Sequence, residues 1–197
     1  MTKAMLVAGF SGALLLVGSA PASAADRFEF DHAHTNIVFL VDHLGFSRMI
    51  GQFQDFDGHF LFDPDQVGDS AVSVTIRTAS VDTDHEKRDD HLRSPDFFNA
   101  VEFPEMTFRS TGIEVTGEKT GRISGDLTLL GVTRPVVLEV TFNRMGPHPS
   151  PQMAGVTVAG FSGRTMLRRS EFGMTGFSPG LGDKVEIWLE VEGHHKK

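Results

Sequence analysis

The chain has 197 residues and a formal net charge of −8, with no Cys, no Tyr, one Trp and 17 Phe. The lack of cysteine excludes disulfides, thiol catalysis and thiolate metal sites, and the acidic balance argues against nucleic acid, which is bound through clustered Lys and Arg. Because phenylalanine has no polar atom, this aromatic content favours a dry core, or a pocket for an equally dry ligand.

Residues 1–24 are typical of a secretory signal peptide. Lys3 gives a positive start, Ala4 to Gly18 form an apolar run, and Ala22 to Ala24 match the small-residue motif that signal peptidase cleaves. The run is shorter than the about 20 residues that cross a bilayer, and no later segment approaches that length. We therefore predict cleavage after Ala24, export to the periplasm, no stable membrane insertion, and a single domain over residues 25–197.

Short alternating segments separated by Gly, Pro, Asn and Asp follow, a pattern typical of antiparallel sheets. In chain order, the predicted strands cover residues 36–41, 52–62, 71–81, 105–115, 122–129, 136–143, 155–167 and 185–192. In the second, Phe53 and Phe56 are three residues apart, with Gly58 close by, which predicts a bulge that bends the strand. The pattern predicts an all-β fold of about eight strands, closed as a sandwich or a barrel.

The charged segment from Asp82 to Phe98, DTDHEKRDDHLRSPDFF, is the one predicted helical interruption. The helix is predicted to begin at residue 83 or 84, because Thr and Asp are favourable N-caps, and to end before the proline. Asp84 with Arg88, and Asp89 with Arg93, have the four-residue spacing of helical ion pairs. We predict a water-facing, salt-paired connection.

Metal and acid–base candidates lie in two places. His85 and Asp89 share a helix face, but His91 points elsewhere, so these three residues do not form a ligand set. His32 and His34 would share a face of a strand and could bind zinc, but the sequence offers no definite third ligand. We therefore predict no metal ligand, no catalytic residue and no cofactor.

The other histidines leave one alternative open. His194 and His195 precede two terminal lysines and are predicted to belong to a frayed tail, while His43 ends a strand where a pocket mouth could lie. The alternative to a non-enzymatic binding protein is an exported enzyme, metal-dependent or otherwise, that uses His32, His34, His43 or His91.

Seven segments of the mature chain resemble, in order, the YceI-like family of exported, polyisoprenoid-binding, lipocalin-like proteins. They are NIVFLVDHLG (36–45), GQFQDFDGHFLFD (51–63), SVDTDHEKRDDHLRSPDFF (80–98), FPEMTFRS (103–110), GDLTLLGVTRPVV (125–137), RSEFG (169–173) and the last strand (186–193). The resemblance implies an eight-stranded antiparallel lipocalin-like barrel with a short helical insertion covering its opening. It also implies that Arg88, Asp89, His91 and Leu92 belong to this cover, with charges facing water and Phe97 and Phe98 facing inward.

On this resemblance, the barrel holds a long isoprenoid lipid, such as a polyprenol or a quinone tail, as a carrier, buffer or sensor. The resemblance also suggests a homodimer. The predicted lipid-binding residues are Phe39, Val41, His43, Phe53, Phe56, Phe60, Val74, Ile76, Phe108, Leu127, Leu138 and Ile187. An apolar stripe is equally typical of a filled core, so a solid barrel that acts through surface contacts remains a third hypothesis.

Overall fold

Antiparallel strands make up most of residues 25–196, the part of the chain that the computed structural model describes; the predicted signal peptide lies outside it. The strands are β1 (Asp26–Phe30), β2 (Asn36–His43), β3 (Ser47–Phe53), β4 (Phe56–Phe62), β5 (Ala71–Arg77), β6 (Val81–Asp82), β7 (Glu105–Val115), β8 (Thr120–Leu129), β9 (Val132–Pro147), β10 (Val156–Arg168) and β11 (Leu181–Lys196). The helix α1 covers Glu86–Arg93, and short 3₁₀ turns lie at Val67–Asp69, Thr78–Ser80, Pro151–Met153 and Arg169–Phe172.

The eleven segments form an eight-stranded closed barrel, because three of the barrel strands are each split in two. β1 and β2 both pair with β11, while β1 pairs with β4 and β2 pairs with β3. β4 pairs with β5, β3 pairs with β6, β5 pairs with β7, and β7 to β11 then pair in chain order around the barrel. The prediction of an antiparallel eight-stranded barrel with one short helix is confirmed.

The three splits lie side by side in the wall. The first is the turn of residues 31–35, the second is Gln54–Asp55, and the third is the 3₁₀ turn Thr78–Ser80. The ladder resumes on either side, with Phe53 paired to Val81 and Phe56 paired to Ile76. In place of the bulge predicted inside one strand, the strand is interrupted at Gln54–Asp55, and this break is one of three in adjacent strands.

Alternation along each strand separates an apolar interior from a polar exterior. In β11, Val185, Ile187 and Leu189 pack against the core, whereas Glu186 accepts a hydrogen bond from the Trp188 indole on the opposite face. Since neighbouring side chains of a strand point to opposite faces, this pattern fixes which residues can reach the interior.

Close packing inside the wall requires glycine at one position. The rings of Phe28 and Phe60 are stacked with centroids 5.0 Å apart. They lie against Gly193 of β11, where an added Cβ would be 2.4 Å from the Phe60 ring. Such a distance is a steric clash, so the glycine lets the two aromatic rings fill the wall between β1, β4 and β11.

The charged segment differs from its prediction. Asp84 has a left-handed φ of 61°, so α1 begins only at Glu86, with His85 as N-cap. Asp89 is buried, with 6% of its surface exposed, and it does not pair with Arg93. Phe97 and Phe98 are buried, as predicted. The helix is thus attached by its charged residues as well as by its apolar ones.

The C-terminal histidines also differ from their prediction. His194 and His195 lie in β11 and pair with Val158 and Thr157 of β10, so they are not a frayed tail. His32 and His34 lie in the turn between β1 and β2, not on a strand. A prediction from neighbouring residues takes account of the terminal lysines but not of β10, the long strand that pairs with this end of the chain.

Candidate functional site: an apolar cavity inside the barrel

The interior of the barrel contains a cavity of about 420 Å³. Its wall extends along β11 from Leu181 to Val191, which is about 30 Å of strand at about 3.3 Å per residue. The cavity lies within the range of about 300–1,000 Å³ that is typical of small-molecule sites. The barrel is therefore hollow, and its cavity is elongated.

Ten of the twelve residues predicted to bind lipid lie on the wall of this cavity. They are Phe39, Val41, Phe53, Phe60, Val74, Ile76, Phe108, Leu127, Leu138 and Ile187. The structure places them around one common space because they sit on the inward positions of eight different strands. Their contact with a lipid stays a prediction.

The other two predicted residues lie elsewhere. Phe56 is buried at the break between β3 and β4, where its ring packs on His32 and Phe30 at centroid distances of 5.2 Å and 6.4 Å. His43 is exposed at the end of β2, beside the turn to β3. Phe56 is in phase with Phe60 and pairs with Ile76, but its ring is buried against Phe30 and His32 and does not reach the cavity wall. His43 shares the face of Val41 by alternation, but β2 ends there and its side chain is exposed.

Several wall residues were missed by the sequence interpretation. Phe62, Phe142 and Phe161 form an aromatic group in which Phe161 lies 5.2 Å from Phe62 and 5.4 Å from Phe142 between ring centroids. Phe30 and Phe172 also line the cavity. The spacing of Phe60 and Phe62, two residues apart, was the available signal, since such residues share a face of a strand.

One end of the cavity is closed by apolar side chains around a buried arginine. Phe97, Phe98, Phe172 and Met174 are all buried there. Arg169 has only 4% of its surface exposed, and its guanidinium donates to the carbonyls of Gly182, Met174 and Leu181 at 2.9, 2.9 and 3.1 Å. Burial lowers the pKa of Arg169, and the nearby Asp183 carboxylate partly opposes this effect. All three guanidinium nitrogens donate hydrogen bonds to backbone carbonyls, so Arg169 has a structural role in closing this end of the cavity.

The helix α1 holds the same end through hydrogen bonds to residues 79–83, in and beside the short strand β6. The buried Asp89 carboxylate accepts from the Thr83 backbone N–H at 2.9 Å and from its hydroxyl. Arg88 donates to the Thr83 hydroxyl and carbonyl, both at 2.7 Å. Arg93 donates to the carbonyls of Ala79 and Val81 at 2.8 and 2.9 Å. Of the residues that the resemblance assigned to the cover, Arg88 and Asp89 fasten it in place, and the expectation that its charges face water is wrong for the buried Asp89.

The other end of the cavity reaches solvent. Its wall includes the exposed turn between β7 and β8, residues 117–120, and Pro64 and Val67 from the connection between β4 and β5. Glu118 and Lys119 supply charges of both signs at this mouth. The Ser70 hydroxyl is buried there and finds no hydrogen-bond partner among residues 25–196.

No histidine between residues 25 and 196 lines the cavity. His91 is at the surface of α1, with Nε2 3.0 Å from an Asp96 carboxylate oxygen and its ring against Phe97 and Phe177. His32 lies 3.7 Å from Asp57 on the outside of the wall. The histidines of the enzyme hypothesis are therefore scattered around the barrel and do not converge on its interior.

Comparisons with known proteins agree with this architecture. A model described as the YceI-like domain matches residues 28–193. The chain belongs to the YceI-like family. A relative named UPF0312 protein, from Ectopseudomonas mendocina (strain ymp), is 44% identical over 195 residues, covering 98% of both chains.

Two solved structures have the same fold as this YceI-like chain. BcnA from Burkholderia cenocepacia has a TM-score of 0.75 at 23% identity, covering 83% of this chain and 98% of its own. A polyisoprenoid binding domain from Saccharophagus degradans, implicated in plant cell wall breakdown, has a TM-score of 0.62 at 11% identity, covering 88% and 99%. Among residues 25–196, no helix has the length and apolar character of a membrane span.

Proposed function

We propose that this YceI-like protein acts in the periplasm as a binding protein for a long apolar isoprenoid lipid, such as a polyprenol or a quinone tail. The observation that supports the proposal is the elongated apolar cavity of about 420 Å³ inside the barrel. The fold is shared with a domain from Saccharophagus degradans that is described as polyisoprenoid binding. The apolar run and cleavage motif of residues 1–24 support export.

The geometry favours one orientation of the lipid. At the closed end, Phe97, Phe98 and Phe172 provide apolar surface and the Arg169 nitrogens are already bonded to carbonyls. At the mouth, Lys119 and the unpaired Ser70 hydroxyl are available. The hydrocarbon tail therefore extends toward the closed end, while the polar group stays at the mouth, where charged and hydroxyl groups can replace its water.

The energetics favour a carrier, buffer or sensor over a permanent trap. Transfer from water gains about 0.8 kcal/mol per buried CH₂, so a tail of about forty carbons would nominally gain about 30 kcal/mol, beyond the about 20 kcal/mol at which non-covalent affinity saturates. The relevant starting state is a membrane, where the tail is already dry. The net free energy gained by moving the tail from the membrane into the cavity is then modest, so the lipid can be returned to a membrane.

The wall does not resemble an active site. Apart from Arg169, its charged residues are Glu118 and Lys119 at the exposed mouth. No nucleophile, base and orienting acid converge there among the described residues. We infer a binding role without catalysis.

The experiment is extraction and mass spectrometry of lipid from protein purified from its native host. The variants are a matched pair on β9, where Val136 lines the cavity and the next residue, Val137, is exposed. Val136→Trp fills the cavity and is expected to reduce the stoichiometric lipid at least tenfold. Val137→Trp adds the same volume outside and is expected to retain the lipid.

Two outcomes would contradict the proposal. One is a wild-type protein that repeatedly yields no stoichiometric lipid although it is folded by circular dichroism. The other is equal lipid content in the two tryptophan variants, which would place the lipid outside the barrel.

A further inference from the structure

A group of acidic and imidazole side chains lies on the outer face of the barrel, at the point where β11 changes its partner from β2 to β1. Asp31 comes directly after β1, and its backbone N–H donates to the Glu192 carbonyl at 2.8 Å. Glu192 and His194 are two residues apart in β11 and share one face of the strand. Because Gly193 between them faces Phe28 and Phe60 inside the wall, both side chains point outward.

The spacing of these groups matches the coordination of a small divalent cation. One ligand atom from each of Asp31, Glu192 and His194 lies within 4.8 Å of the others. Asp31 Oδ2 and His194 Nε2 are 3.5 Å apart. Two ligands about 2.1 Å from a tetrahedral zinc ion are about 3.4 Å apart, so this pair already has the required separation.

A second observation also points to a ligand. His194 Nε2 is shielded from solvent and has no hydrogen-bond partner among residues 25–196, since its contact with Asp31 lacks hydrogen-bond geometry. An unpaired buried polar atom is costly, and native structures normally satisfy it. A cation bound between the imidazole and the carboxylates would provide the missing partner.

The surroundings support a preformed anionic site. The Asp31 carboxylate accepts a hydrogen bond from the Ala33 backbone N–H at 3.0 Å. His34 Nδ1 lies 2.5 Å from Asp31 Oδ2, which orients the carboxylate as outer-shell histidines do in metal sites. His148, in the connection between β9 and β10, packs edge-on against His194 with ring centroids 5.6 Å apart.

We propose that Asp31, Glu192 and His194 bind one first-row divalent cation, with Zn²⁺ the best match. One imidazole and two carboxylates fit zinc, with a fourth position left for water. Ca²⁺ and Mg²⁺ are disfavoured because they prefer oxygen ligands alone. The ion joins the β1–β2 turn to β11, and so fastens the wall where one barrel strand is interrupted. This site is separate from the lipid cavity, because its residues point away from it.

The test uses the untagged mature chain, freed of metal with a chelator and titrated with Zn²⁺ by calorimetry. We expect one Zn²⁺ per chain with a dissociation constant in the micromolar range or below, and a higher melting temperature with Zn²⁺. His194→Ala and Glu192→Gln are expected to weaken binding at least tenfold and to abolish the thermal shift. His32→Ala is the matched control, because this exposed histidine lies in the same turn as Asp31 but outside the cluster, and it is expected to bind as the wild type does.

The proposal is overturned if the wild type shows no stoichiometric binding below millimolar Zn²⁺. It is also overturned if His32→Ala loses as much affinity as His194→Ala, since that would mean diffuse binding by surface histidines. Glu192→Gln keeps the backbone contacts of Glu192, and circular dichroism of each variant separates loss of a ligand from loss of fold. Lipid content, measured in the same samples, is expected to be unchanged in His194→Ala, so the metal site and the lipid proposal can fail independently.

Discussion

Both ends of the cavity contain packed phenylalanines, but charged side chains are buried and bonded to backbone groups at the end covered by α1, whereas the charges at the mouth are exposed. Arg169 and Asp89 have 4% and 6% of their surfaces exposed and together engage five backbone or hydroxyl groups. At the mouth, Phe161 packs among Phe60, Phe62 and Phe142 without directional bonds. We therefore expect the end covered by α1 to keep a fixed shape and the mouth to adjust to the polar group of a ligand.

The largest expected effect is at the fixed end. Arg169→Met leaves three backbone carbonyls without their donor, and each unsatisfied buried group costs about 1–3 kcal/mol. We expect a loss of about 3 kcal/mol, measured as a fall in the melting temperature of about 6–12 °C. Arg168→Met is the control, since the adjacent arginine is about half exposed and should change stability by less than about 1 kcal/mol. Equal effects of the two variants would contradict the structural role of Arg169 in closing this end of the cavity.

The second effect concerns the attachment of α1. Asp89→Ala removes the acceptor of the Thr83 N–H and hydroxyl and is expected to cost about 2 kcal/mol in urea denaturation. Asp90→Ala is the matched control, because Asp90 is exposed and only pairs with Arg93, so its loss should be within about 0.5 kcal/mol. If the two aspartates behave alike, burial of Asp89 does not fasten the helix.

A smaller effect is expected at the mouth. Phe161→Leu reduces aromatic contact but keeps an apolar side chain that can shift within the cavity, so we expect a loss of about 1 kcal/mol. Phe46→Leu, at a residue with 89% of its surface exposed, should leave stability unchanged. A loss at Phe161 as large as that at Arg169 would remove the distinction between a fixed end and an adjustable one.

The smallest effect depends on pH. Hydrogen bonds from the Ser170 side chain and backbone N–H lower the pKa of Asp183 below its ordinary 3.8. A carboxylate with a lowered folded-state pKa stabilises the fold above pH 3.8 and loses this contribution as the pH falls through the folded value. Asp183→Asn is therefore expected to lower the melting temperature by about 1–3 °C at pH 7. The difference from wild type should vanish in acid, and a difference that persists there would have another origin.

Much of the barrel could be predicted from the sequence because alternation reports directly on which face is buried. Val74 and Ile76, or Phe108 and Leu127, lie on the cavity wall as their spacing indicates. The hollow itself could not be predicted, because a filled core and a lined cavity require the same apolar residues. A charged residue such as Asp89 resembles a surface group in any short window, and only the three-dimensional position of Thr83 shows why it is buried.

The metal-ligand group was also beyond the reach of sequence reasoning. His32 and His34 were the visible pair, but the group takes only their neighbour Asp31 from that turn, and Glu192 and His194 come from β11, more than 150 positions later in the chain. The pairing of β1 with the end of β11 brings Asp31 and His194 together. A contact of this range depends on how the barrel closes, which local patterns do not encode.

The three neighbouring strand breaks have a mechanical consequence. Ladder hydrogen bonds are interrupted along one line across the wall, between β1, β4 and β5 on one side and β2, β3 and β6 on the other. This line of breaks divides the wall into two parts, and each part can tilt without losing the hydrogen bonds between its own strands. Amide hydrogen exchange in β2 and β3 should then be faster than in the unbroken strands β8 to β10, because local opening requires less of the structure to come apart.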